Sequence, residues 1–220
     1  ASVEIVTGDT KVVDRGKCDK LFINTTGIGE IRAGAGNIAS GDLIKAGDKI
    51  LISGSIGDHG MTIMSLREDI GFKSQLKSDC AALSDLTCKL LTETKGVKFM
   101  RDPTRGGLAA TLNEIALQTS FDIRIKDADI PINPTVQAAA DALGFDVLNI
   151  ANEGKFVAVV APEIADKCVN ICRRHPLGQQ AAIIGEVVKT DDAPVVETTT
   201  RIGGRRIVQM PYGRELPRIC

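Results

Sequence analysis

The sequence predicts an α+β fold, a mixed β-sheet with helices packed on one face. Three observations lead there. Short apolar strand patterns alternate with amphipathic helical ones, the order strand, glycine-rich loop, helix recurs, and the last two strand patterns flank Gly203-Gly204. That glycine pair is a hairpin signal, so an antiparallel ribbon joins an otherwise alternating arrangement and argues against a doubly wound sheet. With 220 residues, 43% of them apolar, the chain is long enough to bury a substantial core in one large domain or two small ones.

The elements follow in order. Val3–Thr7 alternates like a strand and is interrupted by Gly8-Asp9-Thr10-Lys11 before Val12-Val13 resumes the apolar run. Leu21–Gly27 reads as a second strand, and the small residues of Ala33–Asp42 place a domain boundary near residue 43. Lys49–Ser53 is a strand leading through Gly54–Gly60 into a helix from Met61. Ser78 or Asp79 is positioned to cap a helix reaching about Thr92, with Leu83, Leu86, Leu90 and Leu91 as its apolar stripe. Val97–Met100 is a short strand entering Arg101–Gly107, after which Leu108, Leu112, Ile115 and Ala116 mark one side of a helix. Asn133-Pro134 opens a helix to about Leu143, and Phe156–Val160 is an uninterrupted apolar strand. Pro162 starts a helix to about Arg174, Ala182–Val188 is a strand, and Val195–Ile202 pairs with Arg205–Met210 across the glycines. From Pro211 onward, two prolines and a glycine with no periodicity predict a flexible tail ending on Cys220.

Composition narrows the function classes. Twenty-seven basic and 28 acidic residues are interspersed for a net charge of −1, which leaves no electrostatic footprint for nucleic acid or a membrane surface. Apolar runs such as 156–162 are too short to span a bilayer, and the first residues lack the layout of a signal peptide, so a cytoplasmic location is expected. Six scattered cysteines, without a CxxC and with only two histidines, support neither a disulfide framework nor a zinc site. Cys168 and Cys172, one helical turn apart, read as core thiols.

Several stretches carry chemistry. Gly106-Gly107 at a helix start lets backbone N–H groups approach an anion, and Asp102 just upstream is placed to hold Mg²⁺ against a phosphate; the same residues also satisfy a plain turn with an N-cap. Gly54–Gly60 offers similar loop geometry plus His59, which is either structural or chemical. Asp9 and Lys11 interrupt a buried pattern, and Glu153 stands directly before a buried strand; charges in such places are costly unless paired or used, although each also reads as an ordinary loop charge. A thiol on the last residue of an extended arm can reach other sites.

Taken together, Gly8–Val13, Ser53-Gly54 with Gly57–Gly60, Asp102–Gly107, Asn152–Lys155, His175–Gly178 and Pro217-Arg218-Ile219-Cys220 closely resemble the HypE family of hydrogenase maturation factors. That family belongs to the aminoimidazole ribonucleotide synthetase-like superfamily of ATP-using enzymes. The resemblance implies that residues 44–210 form the C-terminal α+β domain of that fold, that residues 1–43 are the remnant of an N-terminal ATP-binding domain with more chain upstream, and that residues 211–220 are the reactive tail. It further implies a carbamoyl group accepted on Cys220 from the carbamoyltransferase HypF, ATP-dependent dehydration to a thiocyanate, and delivery of cyanide through a HypC–HypD complex to the iron of [NiFe] hydrogenase. ATP and Mg²⁺ are the implied cofactors and a homodimer the implied assembly. Lys11 and Glu153 match positions that assist proton removal, with His59 as a further catalytic candidate. Asp9, Thr10, Asp102, Thr104, Arg105, Gly106 and Gly107 would face nucleotide, the two aspartates through the metal.

Two other readings stay open at this stage. The chain is a carrier that presents Cys220 without dehydrating it, or it is a different synthetase or kinase of the superfamily. Arg218, two residues before the thiol, offsets the terminal carboxylate and favours thiolate at Cys220. Arg218→Ala is therefore expected to move the alkylation profile of Cys220 to higher pH, and an unchanged profile removes that role.

Overall fold

Val157–Val160 is apolar at every position, and a strand turns successive side chains to opposite faces, so this segment has to be covered on both sides. In the computed structural model, which describes residues 3–33, 35–36, 38–67 and 76–211, that demand organises the sheet. The described chain divides into two units, the break falling after Gly36.

The second unit holds one seven-stranded sheet. Its strands are β1 (Lys49–Ile52), β2 (Val97–Arg101), β3 (Asp122–Lys126), β4 (Val157–Val160), β5 (Ala182–Val188), β6 (Val196–Thr199) and β7 (Arg205–Ile207), in the spatial order β2-β4-β1-β5-β3-β6-β7. All neighbours pair antiparallel except β3 and β6, which run parallel, so the expected mixed sheet is present. Among the described residues five α-helices accompany it: α1 (Asp58–Arg67), α2 (Ser84–Glu93), α3 (Gly107–Thr119), α4 (Pro134–Leu143) and α5 (Ala165–Arg173).

The helices are not confined to one face. Ile50, Ile52, Val157 and Val159 pack with Leu108, Leu112 and Ile115 of α3 and Val136 of α4. Leu51, Ala158 and Val160 pack with Leu86 and Leu90 of α2 and Cys168 and Cys172 of α5. Period-two alternation in β1 and β4 sends apolar side chains to both sides, and only helices on both sides remove them from water. The two thiols are fully buried, and that burial raises the pKa of each, Cys172 to about 12 with help from neighbouring Cys168. They are core groups, as the sequence indicates.

Other departures are local. Residues 3–7 and 21–27 form no strand; among the described residues 3–33 no regular element is formed, and Ile5, Val6 and Ile23 are exposed. Alternation supplies a face, but a strand also needs a partner for its N–H and C=O groups, and none is paired there. β3 has no counterpart in the sequence reading, although its Ile123 and Ile125 alternate with Arg124. The hairpin joins shorter strands than expected, through Thr200–Gly204, with the Thr200 amide donating to the Gly204 carbonyl at 2.7 Å.

Truncating either side of β1 tests the two-faced core. Ile50→Ala and Leu51→Ala, on opposite faces and fully buried, are each expected to cost about 2–5 kcal/mol in urea unfolding. A loss confined to one of them would fit a sheet covered on one side.

Candidate functional site

Three loops converge at the end of β1 and the entry to β4. The first is Ser53–Gly57, leading into α1; the second is Pro103–Gly107, leading into α3; the third is Ile150–Lys155, leading into β4. Asn152 holds them together. Its side chain is fully buried, its Oδ1 accepts the Gly57 amide at 2.8 Å, and its Nδ2 donates to the carbonyls of Pro103 and Ile150, both at 3.0 Å. Its own backbone amide also donates to Pro103.

Glycines allow these loops to touch. A Cβ on Gly107 would lie 2.5 Å from the Leu148 carbonyl oxygen and 2.6 Å from that of Ile150, and Gly106 and Gly107 both take positive φ, 73° and 60°. A Cβ on Gly60 would meet Ile150 at 2.4 Å. The left-handed Gly106 takes the N-cap place of α3 without a side-chain cap, as the sequence pattern suggests.

Two further contacts bring charge into the cluster. The Glu153 amide donates to Asp79 Oδ1 at 3.2 Å, and Lys155 Nζ lies 3.3 Å from Asp79 Oδ2. The Asp79 side chain is only 3% exposed and that of Lys155 11%, and Oδ2 makes no hydrogen bond among the described residues, so charge attraction rather than directional bonding holds this pair. Beside Asp79, Ser78 Oγ sits 2.9 Å from His59 Nδ1, while His59 Nε2 is buried with no hydrogen-bond partner among the described residues. Ser78 and Asp79 therefore cap no helix: α2 begins at Ser84, because both side chains are engaged by these distant partners. Likewise Asn133, at the N-cap of α4, donates its side-chain amide to Asp58 Oδ1 instead of capping; the Ser55 hydroxyl donates to the other oxygen of Asp58 at 2.5 Å.

A cleft of about 350 Å³ opens here, lined by Gly54, Ser55, Ser78, Asp79 and Lys155 with Pro176 and Leu177 opposite. His175 shapes that wall. Its Nδ1 accepts the Leu177 amide at 3.2 Å, which leaves the proton on Nε2, 3.0 Å from Asp85. A larger cleft of about 500 Å³, between α4 and the hairpin, contains none of the sequence-selected residues.

The sequence-selected residues thus separate into groups. His59, Glu153 and the Thr104–Gly107 turn are joined through Asn152, Ser78 and Asp79. Asp102 and Arg105 are exposed beside that turn and form no hydrogen bond or ion pair among the described residues; Thr104 is half-buried. Asp9, Thr10 and Lys11 belong to the first unit, where each is exposed. Cys220 lies outside the described residues. Their end, Pro211, is beside the turn, since a Cβ on Gly106 would lie 3.5 Å from the Pro211 ring. Among the described residues no group of three or more His, Cys, Asp or Glu forms a metal cage.

Sequence reading assigned no role to Asp79 as a partner of Glu153 and Lys155, nor to Asn152 as the bridge. A glycine wedged between two charges in Glu153-Gly154-Lys155 was the available signal: a Cβ on Gly154 would lie 1.7 Å from the Asp79 carbonyl oxygen. Asn152→Ala strands the Gly57 amide and takes one of the two donors from the Pro103 carbonyl, and is expected to cost about 1–3 kcal/mol in chemical denaturation. A loss below about 1 kcal/mol would remove Asn152 as the bridge.

Comparison with known proteins supplies the family. Residues 45–196 match the family described as AIR synthase related protein, C-terminal domain. The whole chain is 50% identical to the carbamoyl dehydratase HypE of Bradyrhizobium diazoefficiens, of which it spans 63%. A crystal structure of hydrogenase maturation protein HypE in complex with ATP superimposes with a TM-score of 0.77 at 40% identity, over 83% of this chain and 55% of that one. A crystal structure of a HypE–HypF complex does so with a TM-score of 0.73 at 43% identity, over 76% and 54%. No described helix is long and apolar enough to cross a membrane. With its mixed sheet, glycine-tight loops and domain match in agreement, the chain belongs to the AIR synthase related family and resembles the HypE proteins of that family along its whole length.

Proposed function

We propose that the protein carrying these residues is an ATP-dependent carbamoyl dehydratase of [NiFe] hydrogenase maturation, with Cys220 as the carrier of its substrate. The observation that carries this reading is the 50% identity to a carbamoyl dehydratase HypE over all of the chain, through position 220. Structures of relatives bound to ATP and to HypF support the nucleotide and the donor partner.

The reaction balances as follows. A carbamoyltransferase of the HypF type leaves the sulfur of Cys220 as a thiocarbamate, S–C(=O)–NH₂. ATP phosphorylates the amide oxygen, which departs as phosphate while bases take the two amide protons, and S–C≡N remains. The cyano group then passes to a HypC–HypD acceptor and on to iron.

Residues take roles in this scheme according to their chemistry. Glu153 and Lys11 remove protons. His59, whose Nε2 is buried without a hydrogen-bond partner among the described residues, relays a proton, since an unsatisfied buried nitrogen is costly in a group that has no task. The left-handed Gly106-Gly107 turn, Thr104 and Arg105 receive phosphate, and Thr10 faces the nucleotide. An exposed Asp102, without an ion pair among the described residues, fits a Mg²⁺ held mainly by nucleotide oxygens, with Asp9 as a second carboxylate; the ion would neutralise phosphate charge. Residues 1–43 are proposed to contribute to an ATP-binding domain, residues 44–210 the synthetase-like domain, and residues 211–220 the arm.

Intact-protein mass spectrometry tests the reading. Incubation with HypF and carbamoyl phosphate is expected to add one carbamoyl group at Cys220, and ATP is expected to remove one water from the adduct. An adduct that persists with ATP points to a carrier, and absence of any adduct overturns both.

A further inference from the structure

The cluster that buries Asp79 has a function that the scheme above leaves unassigned. Asp79 lies 74 residues from Glu153 in sequence, yet its Oδ1 accepts the Glu153 amide while its Oδ2 faces Lys155 Nζ. One carboxylate thus grips the chain on either side of Gly154. The grip is tight at the backbone as well, since Gly154 has no room for a Cβ against the Asp79 carbonyl, and Gly54 leaves a Cβ only 2.8 Å from Lys155 Cε. Burying a carboxylate and an ammonium with one imperfect contact is a poor way to gain stability, because desolvation offsets most of the attraction. Such a pair is retained more readily where it fixes geometry.

The structure assigns Asp79 as the positioning residue of Glu153, with Lys155 as the counter-charge that holds Asp79 in place; this rests on the proposed base role of Glu153. Held at its own amide and two residues later, Glu153 has a fixed backbone from which to present its carboxylate. Ser78, the residue before Asp79, bonds His59 Nδ1, so one dipeptide, Ser78-Asp79, contacts both groups proposed to handle protons in this cluster. Misplacement of a base by about 1 Å costs up to about 100-fold in rate, which is the scale on which loss of the grip registers.

A double-mutant cycle in the full-length protein tests this, with Cys220 first carbamoylated by HypF and carbamoyl phosphate. Asp79→Ala is expected to lower the dehydration kcat about tenfold or more, with KM for ATP and the extent of carbamoylation unchanged. In a Glu153→Gln background the same substitution is expected to change kcat no further, because Asp79 acts through Glu153. Independently of activity, hydrogen exchange at the Glu153 amide is expected to lose protection in Asp79→Ala. An equal further loss of kcat in the Glu153→Gln background, or undiminished protection, overturns the assignment alone. Full activity of Glu153→Gln by itself overturns the base role, and the assignment with it. Should Asp79→Ala fail to fold, Asp79→Asn, which keeps the side-chain shape and gives up the charge, passes through the same kinetic cycle under the same criteria.

Discussion

The buried carboxamide of Asn152 is the constraint on which the site depends. A neutral side chain with one acceptor oxygen and two N–H donors meets one amide and two carbonyls, drawn from three separate loops. Nothing shorter reaches all three, and a carboxylate in its place would set an anion against two carbonyl oxygens. Each bond contributes about 1 kcal/mol net, but leaving its partner buried and unpaired costs about 1–3 kcal/mol. The starts of α1 and α3 and the entry to β4 are therefore held as one unit. Loops elsewhere in a protein tolerate drift; here a shift of either of the first two loops would break its bond to Asn152.

How much of this was legible in sequence depends on the range of the interactions. Helices α3 and α4 and strands β2 and β5 follow from local periodicity and from glycine or proline at their ends, and their limits agree closely with the pattern. Residues 3–7 and 21–27 have the alternation of strands but no paired partner, and alternation alone cannot supply one. β3 has only five residues, two of them isoleucines, yet it sits between β5 and β6 and forms the parallel pairing of the sheet. Its place comes from partners 60 or more residues away, which no local window contains.

The site divides the same way. Glu153 and His59 stand out in sequence because they interrupt apolar or glycine-rich stretches. Asp79 and Ser78 look like helix caps because that is the common local use of a short polar side chain, and only contacts across 19 and 74 residues redirect them. Asn133 is turned from its cap by Asp58 in the same manner. The sheet shows a similar limit. Its mixed character was visible in the hairpin, whereas the division of helices between two faces required knowing which side chains of β1 and β4 each helix covers.

Pro211 against Gly106 has a consequence for kinetics. Cys220 is the ninth residue after Pro211, a contour of at most about 30 Å, so the thiol is tethered to the glycine turn that starts α3. A covalent tether of that length sets an effective concentration of about millimolar for any site within its reach, whatever the amount of protein in the cell. Under the proposed chemistry, encounter between the carbamoylated sulfur and this unit is unimolecular. Dilution then slows loading by a partner and leaves the dehydration step untouched.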